Sequence, residues 1–310
     1  MREPLSSLMK VGIVHPMAYP EAACCDELTV RTIQRIAEDE FFGAIEITHV
    51  TNAVTRSRVR EVLETSGLAV VYGAQPVILG EGLDLNHQSS EARRKAIGRL
   101  KDCVDEAYEL GAARLVLLSG KRAGGAEAKA EAIDRLLDSL REICSHASAQ
   151  GRLEIVLEQF DCDIDKKALV GVAADAKHVA SAMQSEFPTF GILVDHGHLP
   201  LIGESIQLTL QSLRECLTHI HIGNCVLKDT THPAYGDKHP RFGICGGEIG
   251  VEDLSQFLQL LLEVGYLGRR HAQPPIVSFE VKPLPGEDPE LVIANAKRAL
   301  IEAWAQVYVG

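Results

Sequence analysis

The chain has 310 residues, of which 46% are hydrophobic and 24% are charged. This composition is typical of a folded globular protein and excludes a long disordered tract. The 31 Lys and Arg residues and 43 Asp and Glu residues leave a formal charge of −12, so the surface repels a phosphate backbone. We therefore expect no nucleic-acid partner.

The cysteines and the N-terminal sequence indicate the cellular compartment of the protein. The eight cysteines form no C-x-x-C pair, and in a chain of this length they are interpreted as buried thiols, which favours a reducing cytoplasm. The opening stretch "MREPLSSLMKVGIV" lacks the apolar centre of a signal peptide. No stretch approaches the roughly 18 apolar residues that a membrane-spanning helix needs. A cytoplasmic protein with no membrane association is predicted.

Short apolar runs rich in Val and Ile alternate along the chain with longer amphipathic segments. The clearest helix is "SEARRKAIGRLKDCVDEAYELG", where Ile97, Leu100 and Val104 recur at helical spacing and Gly111 ends the pattern. The predicted strands are 10–15, 43–48, 68–73, 113–120, 153–159, 190–195, 217–222 and 276–281. The other predicted helices are 25–39, 54–66, 126–149, 169–186, 204–214, 251–264 and 288–308.

Eight apolar strands that alternate with eight helices indicate a parallel sheet covered by helices. The simplest closed form is a (β/α)8 barrel, and we predict one such domain over residues 1–310 because no linker divides the chain. A doubly wound open sheet is the competing architecture, and the missing G-x-G-x-x-G turn counts against its nucleotide-binding versions.

The segment 223–250, after the seventh strand, is far longer than the usual connection of two to six residues. We predict that it is an active-site loop that covers the site as a lid, with its glycines as hinges.

Polar side chains stand at the C-terminal ends of the last four strands, where a barrel builds its active site. Glu158, Asp195 and Glu280 end or nearly end strands five, six and eight, and His219 and His221 lie on strand seven. Any one of these acids could belong to a structural ion pair, but a divalent cation would compensate all of them together. Three carboxylates and one imidazole favour Mn²⁺ or Mg²⁺, with Zn²⁺ or Co²⁺ as alternatives.

The roles of residues near these strand ends are predicted from the alternation of side chains between the two faces of a strand. His219 and His221 share a face, so only one of them need bind metal while the other supports it or contacts substrate. His196 alternates away from Asp195 and is predicted to pack against a helix. Glu46 either pairs with a Lys or Arg or contacts substrate. Weaker candidates are His15 and Gln75.

The order "LEQ", "VDHGH", "HIHIGN" and "SFE" resembles the sugar phosphate isomerase/epimerase superfamily, the xylose isomerase-like barrels that include AP endonuclease family 2. The resemblance covers nearly the whole chain. It implies that Glu158, Asp195, His221 and Glu280 are the metal ligands. It also implies that His198 is the D-x-x-H histidine that contacts substrate or a second metal.

The loop "YGDKHPRFG" also resembles this superfamily and adds Asp237, His239 and Arg241 as predicted substrate contacts. Its Asp-x-His pair is one that can bind metal. The chain departs from the endonucleases, because "VVYGAQ" and "LVLLSG" lack their metal-binding histidines, so a trinuclear zinc site cannot be built in their way. It also departs from the free-ketose epimerases, whose second glutamate falls on Ile164 and whose arginine after strand seven is absent.

The resemblance implies a sugar isomerase or epimerase that uses one divalent ion, Mn²⁺ first, and acts next to a carbonyl through an enediolate. Glu158 and Glu280 would exchange the protons, with His198 as a further catalytic residue. A lyase or dehydratase acting on a keto sugar, keto-glycoside or inosose is the alternative, with His198 or His239 as the acid. A phosphodiesterase and a non-catalytic binding protein are minor alternatives. The expected partner is a small carbohydrate, and association into a homo-oligomer is left open.

Overall fold

The computed structural model describes residues 4–122, 124–268 and 273–308. Each of the eight predicted strands is present; the strand at 217–222 has the predicted bounds, and the other seven are shorter than the apolar runs that predict them. The strands are β1 Lys10–Ile13, β2 Ala44–Ile47, β3 Ala69–Gly73, β4 Arg114–Leu118, β5 Glu154–Glu158, β6 Gly191–Asp195, β7 Leu217–Ile222 and β8 Ile276–Phe279.

The eight predicted helices are also present, and three short helices that were not predicted lie in the connections that follow β1, β3 and β6. Short 3-10 helices span Leu5–Ser7 and Pro20–Cys24. The α-helices are α1 His15–Ala18, α2 Asp26–Ala37, α3 Ala53–Ser66, α4 Gln75–Gly80, α5 Ser90–Glu109, α6 Ala126–Ser148, α7 Ala173–Gln184, α8 Leu199–Ile202, α9 Ile206–Leu213, α10 Val251–Glu263 and α11 Pro289–Trp304.

The strands form one parallel sheet in the order β1-β8-β7-β6-β5-β4-β3-β2. The two ends of this order meet, because the Gly43 N–H donates to Val11 O at 2.8 Å and Val14 forms a parallel bridge with Glu46. The sheet is therefore a nearly closed barrel with helices around it. The predicted (β/α)8 architecture is confirmed, and the open doubly wound sheet is excluded.

Side chains that point into the barrel form layers, because successive residues of a strand face opposite sides. One inner layer is apolar and includes Val116, Val156 and Leu193, all fully buried. Two residues further along β5 and β6 come Glu158 and Asp195. At Gly12 a Cβ atom would lie 2.3 Å from Ser278 Oγ, so glycine leaves the space that Ser278 occupies. The apolar layer is thus the floor on which a polar layer stands.

The cysteine interpretation is wrong for part of the chain. Cys24, Cys25 and Cys245 are exposed, whereas the other thiols are buried or half-buried, and all eight are free. The exposed ones lie in a 3-10 helix, at its end and in the loop after β7, where no apolar periodicity demands burial. Among the described helices, none has the length and apolar character needed to cross a membrane.

Candidate metal centre

The carboxyl ends of four neighbouring strands bring four metal-binding side chains together. Glu158 is the last residue of β5, and Asp195 is the last residue of β6. His221 lies opposite Asp195 in the β6–β7 register, and Glu280 directly follows β8. One ligand atom from each residue lies within 4.8 Å of those of the other three. The structure therefore places together all four residues predicted to be metal ligands.

Two buried oxygens in this group, Glu158 Oε1 and Asp195 Oδ2, have no hydrogen-bond partner among the described residues. Such atoms are rare, because an unpaired buried carboxylate oxygen is costly. The other oxygen of each carboxylate is satisfied. Gln75 Nε2 donates to Glu158 Oε2 at 2.6 Å, and the Gly197 N–H donates to Asp195 Oδ1 at 2.5 Å. One oxygen on each side is left for a ligand, so these residues fit a divalent cation.

His221 faces a carboxylate with each ring nitrogen. Its Nδ1 lies 2.8 Å from Glu280 Oε2, and its Nε2 lies 3.0 Å from Glu46 Oε1. Burial opposes charge on the ring, but Glu46 and Glu280 raise the pKa of His221 well above its ordinary value. With Nε2–H donated to Glu46, Nδ1 points toward the other predicted ligands. This is the usual arrangement of a metal-binding histidine that has a carboxylate behind it.

A second polar layer lies beneath this centre. Glu46 Oε1 is 2.8 Å from His219 Nε2, and an Arg114 guanidinium nitrogen is 3.5 Å from His219 Nδ1. Arg114 also forms an ion pair with Glu154 at 2.5 Å. Because Arg114 can only donate, His219 accepts at Nδ1 and donates its Nε2–H to Glu46. Burial, the largest influence, lowers the pKa of His219 and favours this neutral form.

This layer bears on the interpretation of Glu46 and His219. Glu46 was expected to pair with a Lys or Arg or to contact substrate, but its partners are His219 and His221. Burial raises the pKa of Glu46, yet the two histidines hold it well below its ordinary value. His219 is completely buried and reaches His221 through Glu46, so of its two expected roles the geometry favours support of the other histidine over contact with substrate.

A further cluster adjoins the centre on the side of the long loop. His198 Nδ1 is 2.8 Å from Gln159 O, and His198 Nε2 is 3.1 Å from Asp237 Oδ1. His239 Nε2 lies 2.5 Å from the same Asp237 oxygen. Both nitrogens of His198 therefore face acceptors, which is the environment of an imidazolium. Burial lowers the pKa of His198, but Asp237 and Asp195 raise it well above the ordinary value.

The loop 223–250 is fastened to the barrel and positions Asp237 and His239. Asn224 Oδ1 accepts from the Cys225 and Ile249 N–H groups, both at 2.9 Å, so the side chain joins the two ends of the loop. The Lys282 N–H donates to His239 O at 2.6 Å. Asp237 and His239 are both buried. The structure thus makes this segment a wall of the site, and its predicted hinged motion stays a prediction.

Two other candidates point away from the centre. The Arg241 guanidinium donates to Glu287 Oε1 at 3.0 Å, and its side chain is 39% exposed, so the structure does not bring it to the predicted substrate contacts. His196 stacks on Phe257 of α10 with ring centroids 4.2 Å apart and planes 3° apart. The prediction that His196 packs against a helix is confirmed.

Sequence reasoning missed Lys166, which lies in the connection between β5 and α7. Its ammonium is 2.7 Å from Asp237 Oδ2, and the side chain is 18% exposed. Burial lowers the pKa of Lys166, but Asp237 raises it above the ordinary value. The stretch "FDCDIDKKAL" resembles any charged surface loop, so its only signal is its position directly after a strand that ends in Glu158. Gln75, the donor to Glu158, was treated as a weak candidate.

The fold agrees with the comparisons with known proteins. The family model described as the xylose isomerase-like TIM barrel matches residues 33–299, and the chain belongs to this family. No curated protein matches the chain.

Solved structures of similar fold share little sequence with this chain. The IOLI protein with a bound zinc atom is 15% identical with a TM-score of 0.73, over 97% of this chain and 100% of that one. The 3-keto-D-glucoside 4-epimerase from E. coli is 16% identical with a TM-score of 0.67, over 94% and 98%. The D-psicose 3-epimerase from Clostridium cellulolyticum H10, solved with D-tagatose, is 17% identical with a TM-score of 0.64, over 96% of each chain. At these identities the likeness shows the fold alone.

Proposed function

We propose that the protein is a divalent-metal-dependent isomerase or epimerase that acts on a small carbohydrate at a carbon next to a carbonyl. One observation carries the proposal: Glu158 Oε1 and Asp195 Oδ2 are buried without partners in a group that His221 and Glu280 complete. Three carboxylates and one imidazole favour Mn²⁺ first, with Mg²⁺, Co²⁺ or Zn²⁺ as alternatives. The printed names of the similar epimerases, and the zinc in one similar structure, support the same class.

When bound, the divalent ion supplies Lewis-acid stabilisation of the negative charge that develops on the carbonyl and hydroxyl oxygens of the substrate. The protein's own residues handle the protons. Glu158 and Glu280 stand on β5 and directly after β8, on different sides of the centre. A carboxylate on one side can remove the α-proton while the other returns a proton to the opposite face, which gives epimerisation.

The environment of each carboxylate suits this role. Gln75 fixes one oxygen of Glu158. Burial raises the pKa of Glu280, but His239 and His221 lower it below the ordinary value, so Glu280 is ionised and able to accept a proton at neutral pH. The Glu280 side chain is 12% exposed, against 1% for Glu158. Glu280 therefore lies nearer the entrance from which a substrate arrives.

A lyase or dehydratase is the second candidate, and one observation favours it. His239 turns Nε2 toward Asp237 Oδ1 at 2.5 Å and leaves Nδ1 without a partner among the described residues, so a protonated His239 can give its Nδ1 proton to a leaving oxygen. If the substrate carries a group at its β-carbon, the same α-proton removal leads to elimination.

Proton NMR in D₂O with Mn²⁺ and a panel of keto sugars and keto-glycosides tests the proposal. We expect deuterium to replace the α-proton with the formation of an epimer. In Glu158→Gln and Glu280→Gln, turnover should fall roughly 10²-fold or more, because the amide keeps the size and one coordinating oxygen but loses the basicity. Enone or aglycone signals would identify the lyase instead. Wild-type exchange in both variants, with metal bound, would remove the two glutamates from the proton transfer.

A further inference from the structure

The Asp237 carboxylate is surrounded by hydrogen-bond donors of the protein. The Lys166 ammonium lies 2.7 Å from Asp237 Oδ2. On the other oxygen, Oδ1, His198 Nε2 lies at 3.1 Å and His239 Nε2 at 2.5 Å. Asp237 is also almost fully buried, with a side chain that is 3% exposed. Both of its oxygens are therefore occupied before any ligand arrives.

Lys166 lies in a loop after β5 whose backbone is held by hydrogen bonds, and this loop positions its side chain beside Asp237. Asp161, buried just after β5, accepts hydrogen bonds from the N–H groups of Ile164, Asp165 and Lys166 at 2.7 to 2.8 Å. Lys167 follows with a φ of 53°, which turns the chain back toward β4. A loop bent around one buried carboxylate in this way fixes the backbone from which the Lys166 side chain extends.

The same region contains the donors for a second cation. Asp195, His198, His239 and Glu280 each offer a ligand atom within 4.8 Å of the others, and Asp195 and Glu280 belong to the first group as well. With only these side chains, two divalent ions could share two carboxylates, as in two-metal hydrolytic sites. Whether a second cation can bind there depends on the hydrogen bonds that Asp237, His198 and His239 make to one another.

We propose that Lys166 takes the place of a second metal ion and keeps the centre mononuclear. Its ammonium neutralises Asp237 and directs the other oxygen of that carboxylate to the two histidines. His198 and His239 then turn Nε2 toward Asp237, so these two atoms are not free to bind metal, and His239 Nδ1 is the nitrogen of the pair that has no partner among the described residues. The inference rests on the proposed function, because it presupposes that Glu158, Asp195, His221 and Glu280 hold the first ion.

Charge supports this assignment. The first ion would face three carboxylates, those of Glu158, Asp195 and Glu280, while the fourth, Asp237, is already matched by Lys166. A second dication at His198 and His239 would lie close to the Lys166 ammonium in a buried place, where repulsion between like charges is strong. Lys166 thus excludes the ion without blocking the first centre.

The number of ions at the centre affects the class of reaction that it can catalyse. In-line displacement at phosphorus commonly uses two metal ions that hold the attacking and leaving oxygens. A single ion does not hold two oxygens in this way, and the arrangement leaves His239 Nδ1, which has no partner among the described residues, for contact with a substrate oxygen. Lys166 is therefore a positioning residue that favours chemistry at carbon over phosphodiester cleavage.

Titration of the metal-free protein with Mn²⁺ tests the inference, with calorimetry to count the ions and electron paramagnetic resonance to detect coupled pairs. We expect about one ion in the wild type and about two in Lys166→Met and Lys166→Gln, with a spin-coupled signal from ions that share Asp195 and Glu280. Lys166→Arg keeps the charge and should bind about one ion. Lys238→Met is the matched control, because Lys238 pairs with Asp165 at 2.8 Å, and it should also bind about one ion.

The outcomes separate this inference from the proposed function. Two ions in the wild type would overturn the role of Lys166 and leave the metal centre standing, and this count needs no variant to fold. One ion in Lys166→Met and Lys166→Gln, with wild-type melting temperatures, would also overturn it. No bound ion in the wild type would instead remove the metal centre, and the inference with it.

Discussion

Glu46 lies behind His221 and is placed to orient this proposed metal ligand. It contacts Nε2 of His221, so that Nδ1 is the nitrogen that would face the proposed ion. We expect Glu46→Gln to weaken metal binding by about 10- to 100-fold, because the amide keeps the shape but loses the charge that orients and polarises the ring. Titration with Mn²⁺ measures this change.

The control for that measurement is Glu106→Gln. Glu106 is also buried, but its partners are Val50 N–H, Tyr72 OH and His49 Nδ1, away from the centre. Its substitution should leave metal affinity unchanged. Wild-type affinity in Glu46→Gln would mean that His221 needs no carboxylate behind it.

We expect His15 to make the stability of the protein depend on pH. Burial lowers the pKa of His15 from 6.5 to about 4, and its Nε2 contacts Thr32 Oγ1 at 2.8 Å. In the unfolded chain the ring takes up a proton near pH 6.5, while in the folded protein it does so only near pH 4. The free energy of unfolding should therefore fall by up to about 3 kcal/mol as the pH drops through this window.

Urea unfolding of the wild type and of His15→Asn between pH 7 and pH 4 measures the contribution. The variant should lose part of the pH dependence, whereas His87→Asn, at an exposed position, should keep it. Equal pH dependence in wild type and His15→Asn would show that His15 is not held neutral.

At the scale of elements, the loop 223–250 depends on Asn224. This fully buried side chain accepts from Cys225 and Ile249 and donates to Arg241 O at 3.2 Å. Asn224→Ala leaves these backbone groups unpaired and should cost about 2 to 3 kcal/mol of stability. Because the loop ends are then released, proteolysis within 223–250 should accelerate.

Asn52→Ala is the matched control for that experiment. Asn52 caps α3 through Val54 N–H, so its loss should cost about 1 kcal/mol without new cleavage in the loop. Cleavage of Asn224→Ala at the wild-type rate would show that the loop is held by other contacts.

Sequence patterns predict the elements of this barrel better than their connections. A buried parallel strand is nearly continuously apolar, so every strand is visible in the sequence. The helices α1, α4 and α8 span only four to six residues and show no periodicity that could reveal them.

The same distinction explains which site residues could be predicted. Glu158 and Asp195 stand out as charges at the ends of apolar strands. Glu46 was misjudged because its partners, His219 and His221, come from across the barrel, and only the closed sheet brings them near. The position of Lys166 depends on a loop folded around Asp161, and no periodic pattern in the sequence predicts such a loop.

At the scale of the whole molecule, apolar side chains fill the barrel below the charged centre. Val116, Val156 and Leu193 belong to one apolar cluster inside the barrel. Above it, Glu46 and the histidines of β7 support the centre, and the loop after β7 forms the wall beside it. Because the catalytic end of a barrel is separate from its packed interior, the site can change without loss of the fold.

The measurement that tests the central claim most directly is metal analysis of the purified protein beside Asp195→Ala, each supplied with Mn²⁺ and freed of loosely bound ions. Asp195 offers the unpaired Oδ2 to the predicted centre. We expect about one divalent ion per chain in the wild type and a loss of most of it in the variant, with the circular dichroism of a folded barrel retained. Equal metal content in the two proteins, or none in either, would contradict the account.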